Sequence, residues 1–222
     1  MKRVFILFAT VLAISACMNS STNKQKQDDR AKLEREQFIR DSLARDKEIK
    51  DSIATAERNA EVIARVSKSF NENKDEFSTT TWVEPKSAPK YRNRNGVYCY
   101  FATENGMATS VFRFVYQYYS DDWLFIKNMI FNIDDEIITI TPEMDTDCGN
   151  GGKIWEWCDE LVTKNSSNGV TEDFIKKIAN ANSVKVKMNG RQYYDTRTFT
   201  KEQIQAIKDT YDYFIAKGGI FL

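Results

Sequence analysis

The stretch Val97–Tyr119, VYCYFATENGMATSVFRFVYQYY, decides the fold. Val97, Cys99 and Phe101 alternate with Tyr98 and Tyr100. A period of two is that of a strand with two distinct faces. Asn105-Gly106 follows, a pair that accepts the positive φ angles of a two-residue hairpin turn. Beyond the turn, Phe112, Phe114, Tyr116 and Tyr118 share one face, and Arg113, Val115 and Gln117 share the other. The stretch therefore predicts an aromatic-rich antiparallel hairpin.

Downstream the same period recurs. Residues 123–133 (WLFIKNMIFNI) are almost continuously apolar, which predicts a strand covered on both faces or one carrying a bulge. Asp134-Asp135 turns the chain into Glu136–Thr141. A polar, Gly-rich loop over 143–152 leads to the strand Lys153–Cys158. Val184, Val186 and Met188 alternate with Lys185 and Lys187, and Asn189-Gly190 turns into Arg191–Phe199. Two helices interrupt the strands. Thr171 caps a helix over Glu172–Ala181 whose apolar stripe is Phe174, Ile175 and Ile178. Thr200 and Gln203 form a capping box opening a helix that turns Ile204, Ile207, Tyr211 and Phe214 inward, and Gly218-Gly219 stops it.

Upstream, Phe77–Val83 reads as a further strand, before a loop marked by Pro85 and Pro89. Above residue 77 the character changes. All nine glycines follow Asn95, all three prolines follow Glu84, and 25 of the 28 aromatics lie from Phe70 onward. Between Lys24 and Lys50, 16 of 27 residues are charged, with both signs mixed, and Glu36–Arg40 and Asp41–Arg45 stand at i, i+4 with the acid first. This predicts a charged helix over 28–76, ~65 Å long to residue 72 at 1.5 Å per residue, behind a polar tether over 17–27. Ile49, Ile53, Ala56, Ala60, Ile63, Ser67 and Phe70 are spaced as a heptad seam. The seam reads either as a short coiled coil that self-associates or docks a partner helix, or as a solvated spacer whose last turns pack on the next domain. The fold class expected is α+β: a long charged helix, then an antiparallel, sandwich-like domain of seven to eight strands over 77–222, with two helices near its end.

The first sixteen residues differ again. Lys2 and Arg3 precede the apolar run Val4–Ile14, which is too short to span a bilayer, and the run closes on Ile14-Ser15-Ala16-Cys17. An aliphatic residue, two small residues and a cysteine, behind a basic and an apolar segment, resemble the leader and lipobox of bacterial lipoproteins. The resemblance implies diacylglyceryl transfer to the Cys17 sulfur, cleavage before Cys17 and a membrane held through two or three acyl chains. Met18 and Asn19 follow the cysteine. An Asp after the cysteine marks inner-membrane retention in enterobacterial lipoproteins, so its absence points towards an outer membrane. Arg113–Ile133, Ile154–Trp157 and Arg191–Thr200 also resemble C-terminal domains of bacterial envelope proteins that carry such leaders and have no assigned activity.

Composition narrows the chemistry. The 222 residues include 32 Lys+Arg, 32 Asp+Glu and no histidine. Without histidine there is no Ser-His-Asp or Cys-His nucleophile and no His-ligated zinc. Zero formal charge provides no footprint for nucleic acid. No cofactor motif is present. Cys17 is assigned to lipid. Cys99, Cys148 and Cys158 remain, either unpaired or with one bridge in any of three pairings; a hairpin centred near Asp147 would set Cys158 beside Glu136, far from Cys148.

Three sets of side chains are candidates. Asp145, Asp147 and Glu156 stand at positions 1, 3 and 12 of a calcium loop, but Gly149 and Asn150 occupy positions 5 and 6, where a ligand and a glycine are required. The alternative is a plain hairpin loop. Tyr116, Tyr118, Trp155 and Trp157 either line a groove for glycan or peptide or form the core face of a sheet. Asp121, Asp122, Asp134, Asp135, Glu156, Asp159 and Glu160 lie at strand ends, where a pair across a cleft would suit glycoside hydrolysis. No catalytic motif accompanies them. The expectation is a lipid-anchored, non-enzymatic envelope protein whose β-rich module binds a protein or an envelope polymer. Behind it stand a self-assembling coiled-coil spacer and a carboxylate-dependent hydrolase.

Overall fold

A computed structural model describes residues 5–149 and 151–222, with side chains from Gln27 onward except those of Asp28 and Ala31. The side chains of Cys17 and of the leader, and with them the lipobox reading, lie outside what is described. Helix α1 runs Phe5–Val66 and ends in a 3-10 turn at Ser67–Ser69. Strands β1 (Phe70–Lys74), β2 (Thr80–Pro85), β3 (Gly96–Glu104) and β4 (Met107–Ser120) follow. Next come β5 (Asn128–Ile133), β6 (Glu136–Ile140), β7 (Asp145–Cys148) and β8 (Ile154–Leu161). Helix α2 (Glu172–Ala179), strands β9 (Val184–Asn189) and β10 (Tyr194–Thr198), and helix α3 (Lys201–Ala216) complete the chain. Nine described strands lie within 77–222, where seven to eight were expected, and β1 precedes them. The expected α+β class, with a long helix before antiparallel sheets and two later helices, is what the structure has.

The chain divides after Ala56. In the first unit the described side chains of α1 face solvent, including Leu33, Phe38, Leu43, Ile49 and Ile53. The second unit takes the last turns of α1. Val66 is buried, and Val62 and Ile63 pack beside it on the core. Phe70, expected to extend the heptad seam, instead opens β1, and its ring lies 5.1 Å from that of Tyr213. The stalk therefore ends at Val66 and not at 76. FNENK has no apolar alternation, so only its register against β2, Phe70 opposite Pro85, makes it a strand.

Two antiparallel sheets carry the domain. The larger has the order β1-β2-β3-β4-β8-β7 and the smaller β10-β9-β5-β6. Local signals close the hairpins. Asn105 and Gly106 take φ 51° and 82°, and Asp134 and Asp135 take 46° and 72°, the paired positive angles whose twist matches the flanking strands. The inner face of the larger sheet is aromatic. Phe101 and Phe112 meet Phe214 of α3 at 5.6 and 5.1 Å. Further along, Phe174 of α2 sits between Phe114 of one sheet and Phe131 of the other, at 5.5 and 4.9 Å. Helices thus fill part of the space that two directly stacked sheets would share. Burying each such ring stabilises by about 1.5–3 kcal/mol. Thr171 accepts from the Phe174 amide, and the Thr200–Gln203 box is present with both its bonds, so both helices begin where their caps predict.

Three further expectations change. Phe77 is fully exposed in the β1–β2 connection, and the strand begins at Thr80. The polar loop over 143–152 contains β7, paired with β8. The apolar run 123–133 is a strand only from Asn128; residues 121–127 are a connection between the sheets.

Candidate functional site

The register of β4 on β8 separates the four aromatic candidates. Tyr116 lies opposite Cys158 and Tyr118 opposite Glu156, while Trp157 lies opposite Gln117 and Trp155 opposite Tyr119. Neighbours in register share a face, so the tyrosines point to the core and the tryptophans to the opposite side. Tyr116 and Tyr118 are buried. Tyr116 donates its hydroxyl to the Met188 sulfur at 3.1 Å, and Arg197 covers the Tyr118 ring at 4.8 Å. The four do not form one surface.

On the opposite side Trp155 and Trp157 are half-buried. Arg92, from the β2–β3 connection, stacks on Trp157 at 5.6 Å and donates to Asp159 at 3.2 Å. Arg113 donates to the Asp159 carboxylate at 2.7 Å and also to its backbone carbonyl, and the Tyr100 hydroxyl adds a bond of 2.9 Å. Burial pushes Tyr98 up to about 12, with Arg92 opposing. Burial also raises Tyr100, helped by the charge of Asp159. Asp159 is thus saturated by two guanidinium groups and a phenol, an arrangement that straps the connection to the sheet.

The calcium-loop reading fails on register. Asp145 and Asp147 lie opposite Trp157 and Trp155, on the tryptophan side, whereas Glu156 faces the core. Three ligands of one ion must converge. Among the described residues no group of carboxylates or thiols is placed to hold a metal. The hairpin is not centred near Asp147, because Cys148 pairs with Ile154, so Cys158 lies beside Tyr116 instead of Glu136. Cys99, Cys148 and Cys158 are free. Burial holds the Cys158 thiol at about 12 and that of Cys99 well above its usual range.

Glu156 has a different task. It is fully buried, and its carboxylate accepts three successive backbone amides: Leu124 at 2.7 Å, Phe125 at 2.8 Å and Ile126 at 2.8 Å. A buried carboxylate persists only when its oxygens are filled in this way. The three amides converge because Phe125 takes φ +52°, the left-handed region, where a bulky side chain is rare. A second tie comes from the β9–β10 turn. Arg191 donates its amide to the Leu124 carbonyl at 2.9 Å, and Gly190 approaches that carbonyl so closely that a Cβ would collide with it. Between these ties the loop presents Trp123 and Phe125, stacked at 5.3 Å with rings 12° from parallel, and Phe125 is 46% exposed. The turn itself presents Tyr193, and Tyr194 opens β10 beside it, both more than half exposed.

This loop adjoins the open face of the smaller sheet, at the end where Asn189 donates to Asn128 at 2.8 Å. Met129, Phe131 and Ile133 of β5 are buried, as are Val184, Val186 and Met188 of β9. The alternate positions therefore point outward: Asn128, Ile130 and Asn132 on β5, and Lys185, Lys187 and Asn189 on β9. In register with them are Tyr194, Thr196 and Thr198 of β10 and Ile137 and Thr139 of β6. Sequence reasoning noted the β9 alternation but missed the loop. The one available signal was Glu156 itself, a charge in the inward phase of Ile154–Cys158, which demands partners.

Three of the other candidate acids are also engaged. Asp134 accepts from the amides of Asn182 and Ser183, Glu160 from Glu143 and Asn168, and Asp121 pairs with Lys153. A groove of about 710 Å³ between Phe70, Pro85 and Ala206 mixes Lys68, Lys86 and Lys201 with Glu202 and Asp209. No protein family model, curated protein or solved structure matches the chain.

Proposed function

We propose that this chain is a lipid-anchored protein of the bacterial envelope, held through Cys17 with the charged helix as spacer, whose β-rich domain binds an envelope polymer without catalysing a reaction. The leader and lipobox support the anchor, and the residue after Cys17 supports an outer membrane. Binding is carried by one observation: Phe125 is held outward, stacked on the half-buried Trp123, on a connection strained at Phe125 and tied down by Glu156. Strain that surrounding structure over-determines is characteristic of binding loops. Rigid aromatics beside an open sheet face lose little entropy on capturing a chain of sugar or peptide.

The test has two parts. Cells expressing the protein incorporate labelled palmitate into it, and Cys17→Ala abolishes the label; label that persists in the variant overturns the anchor. Detergent-solubilised full-length protein is retained by isolated envelope polymer, and Phe125→Gly with Trp123→Ala reduces retention; undiminished retention overturns the site.

A second reading is self-assembly through α1, favoured by Ile49 and Ile53, which expose 56% and 52% of their surface on the seam. Sedimentation of the full chain in neutral detergent decides it. A protein monomer at micromolar concentration rejects self-assembly.

A further inference from the structure

We infer that the open face of the smaller sheet selects an acidic polysaccharide, a linear glycan bearing uronate carboxylates. The inference rests on the binding reading above and names its ligand class. Its basis is charge. The outward positions of β5, β6, β9 and β10 include Lys185 and Lys187 and no acid. Lys127 and Arg191, both exposed, lie at the end of the sheet that carries the aromatic loop. Among the described residues, none of these four cations forms an ion pair. The acids of the region are set aside. Asp195 points to the inner side and pairs with Arg197, and Asp134 and Asp135 occupy the turn at the far end of β5. Among the described residues, Asp122 remains as an unpaired acid beside the aromatic loop.

The remaining groups match a sugar chain. Lys187 sits over the Tyr194 ring at 4.2 Å, so a cation and a stacking surface coincide. Asn128, Asn132 and Asn189 offer amide donors and acceptors suited to hydroxyls. Lys185 and Lys187 stand two residues apart on one strand, roughly 7 Å, presenting a row of charge and not a single point. A chain in which the domain as a whole is near neutral gains little from long-range attraction, so local complementarity sets the selection.

The experiment is affinity electrophoresis of the full-length protein in neutral detergent micelles, through gels containing polygalacturonate or neutral dextran. The expected result is retardation by polygalacturonate, none by dextran, and an affinity weakened about tenfold by Lys185→Glu with Lys187→Glu. Lys68→Glu with Lys86→Glu, the same charge change on another surface, leaves retardation within about twofold of wild type. Equal retardation in both gels overturns acid selection and leaves the binding reading standing. Equal loss in the two charge-reversed variants overturns the site, as does tighter binding to phosphatidylglycerol vesicles than to polygalacturonate. No retardation in either gel overturns the inference; retention on isolated envelope polymer then shows whether the binding reading falls with it.

Discussion

Glu156 accepts the backbone amide of Phe125, a residue 31 positions earlier, at 2.8 Å, and the same carboxylate takes the amides on either side. One buried charge thereby fixes the backbone of the loop that carries the exposed Phe125 and its stacking partner Trp123. Removing it strands three donors away from water. Glu156→Ala is expected to cost about 3 kcal/mol or more, measured by chemical denaturation. Hydrogen exchange at Leu124, Phe125 and Ile126 should accelerate more than elsewhere in the domain.

Phe125 is held at φ +52° at a cost of about 1–2 kcal/mol for a residue with a Cβ. Phe125→Gly removes that cost but loses the stack on Trp123, worth about 0.5–1.5 kcal/mol. Stability should therefore stay within about 1 kcal/mol of wild type while polymer retention falls. A large loss of stability would show that the ring serves packing instead.

The stalk and the domain respond differently to truncation. Phe70 is buried against Tyr213, so Phe70→Ala should destabilise by about 3 kcal/mol. Ile53 is exposed in the first unit, and Ile53→Ala should change the domain's unfolding by no more than about 0.5 kcal/mol. Thermal melts of the two variants check this.

Thiol chemistry follows burial. Cys99 and Cys158 are buried with thiol pKa values raised by desolvation, and Cys148 is exposed. In a Cys17→Ala background, a disulfide reagent at pH 8 should titrate one thiol in the native protein and three after denaturation. Three thiols reacting at one native rate would contradict the placement of Cys99 and Cys158.

Glu84 provides a pH test. Burial raises its carboxyl above the ordinary value, with Asp159 adding and Arg92 opposing. A carboxyl raised in the folded state binds its proton more tightly than in the unfolded chain. Stability is therefore lost as pH rises from the unfolded value, about 4.3, through the folded one. Glu84→Gln should gain a few tenths of a kcal/mol at neutral pH, the group being only half-buried, and the gain should vanish near pH 4. A gain that persists at pH 4 would have another origin.

Much of the fold was legible because its signals are local. Asn105-Gly106, Asp134-Asp135, the Thr171 cap and the Thr200–Gln203 box each act within four residues, and each does what its chemistry predicts. The candidate site was less legible. WLFIKNMIFNI reads as one strand because its apolar content is nearly continuous, yet residues 123–126 are apolar for two other reasons. Leu124 and Ile126 are buried at the junction of the sheets, and Trp123 and Phe125 form the stacked pair. β1 gave no signal, since FNENK gains its strand only by pairing with β2.

The sequence by itself determined the period of β3, β4 and β9, the hairpin turns, the helix caps, and the change from charged helix to aromatic domain, all set by dihedral preference and local burial. Register was decided only in the tertiary structure. Because side chains alternate across a strand, the pairing of β8 with β4 and β7 sent Tyr116 and Tyr118 inward and Trp155 and Trp157 outward, and parted Glu156 from Asp145 and Asp147. The same pairing turned Glu156 into the core, where a charge must find donors, and the nearest were the amides of the loop that now presents Trp123 and Phe125.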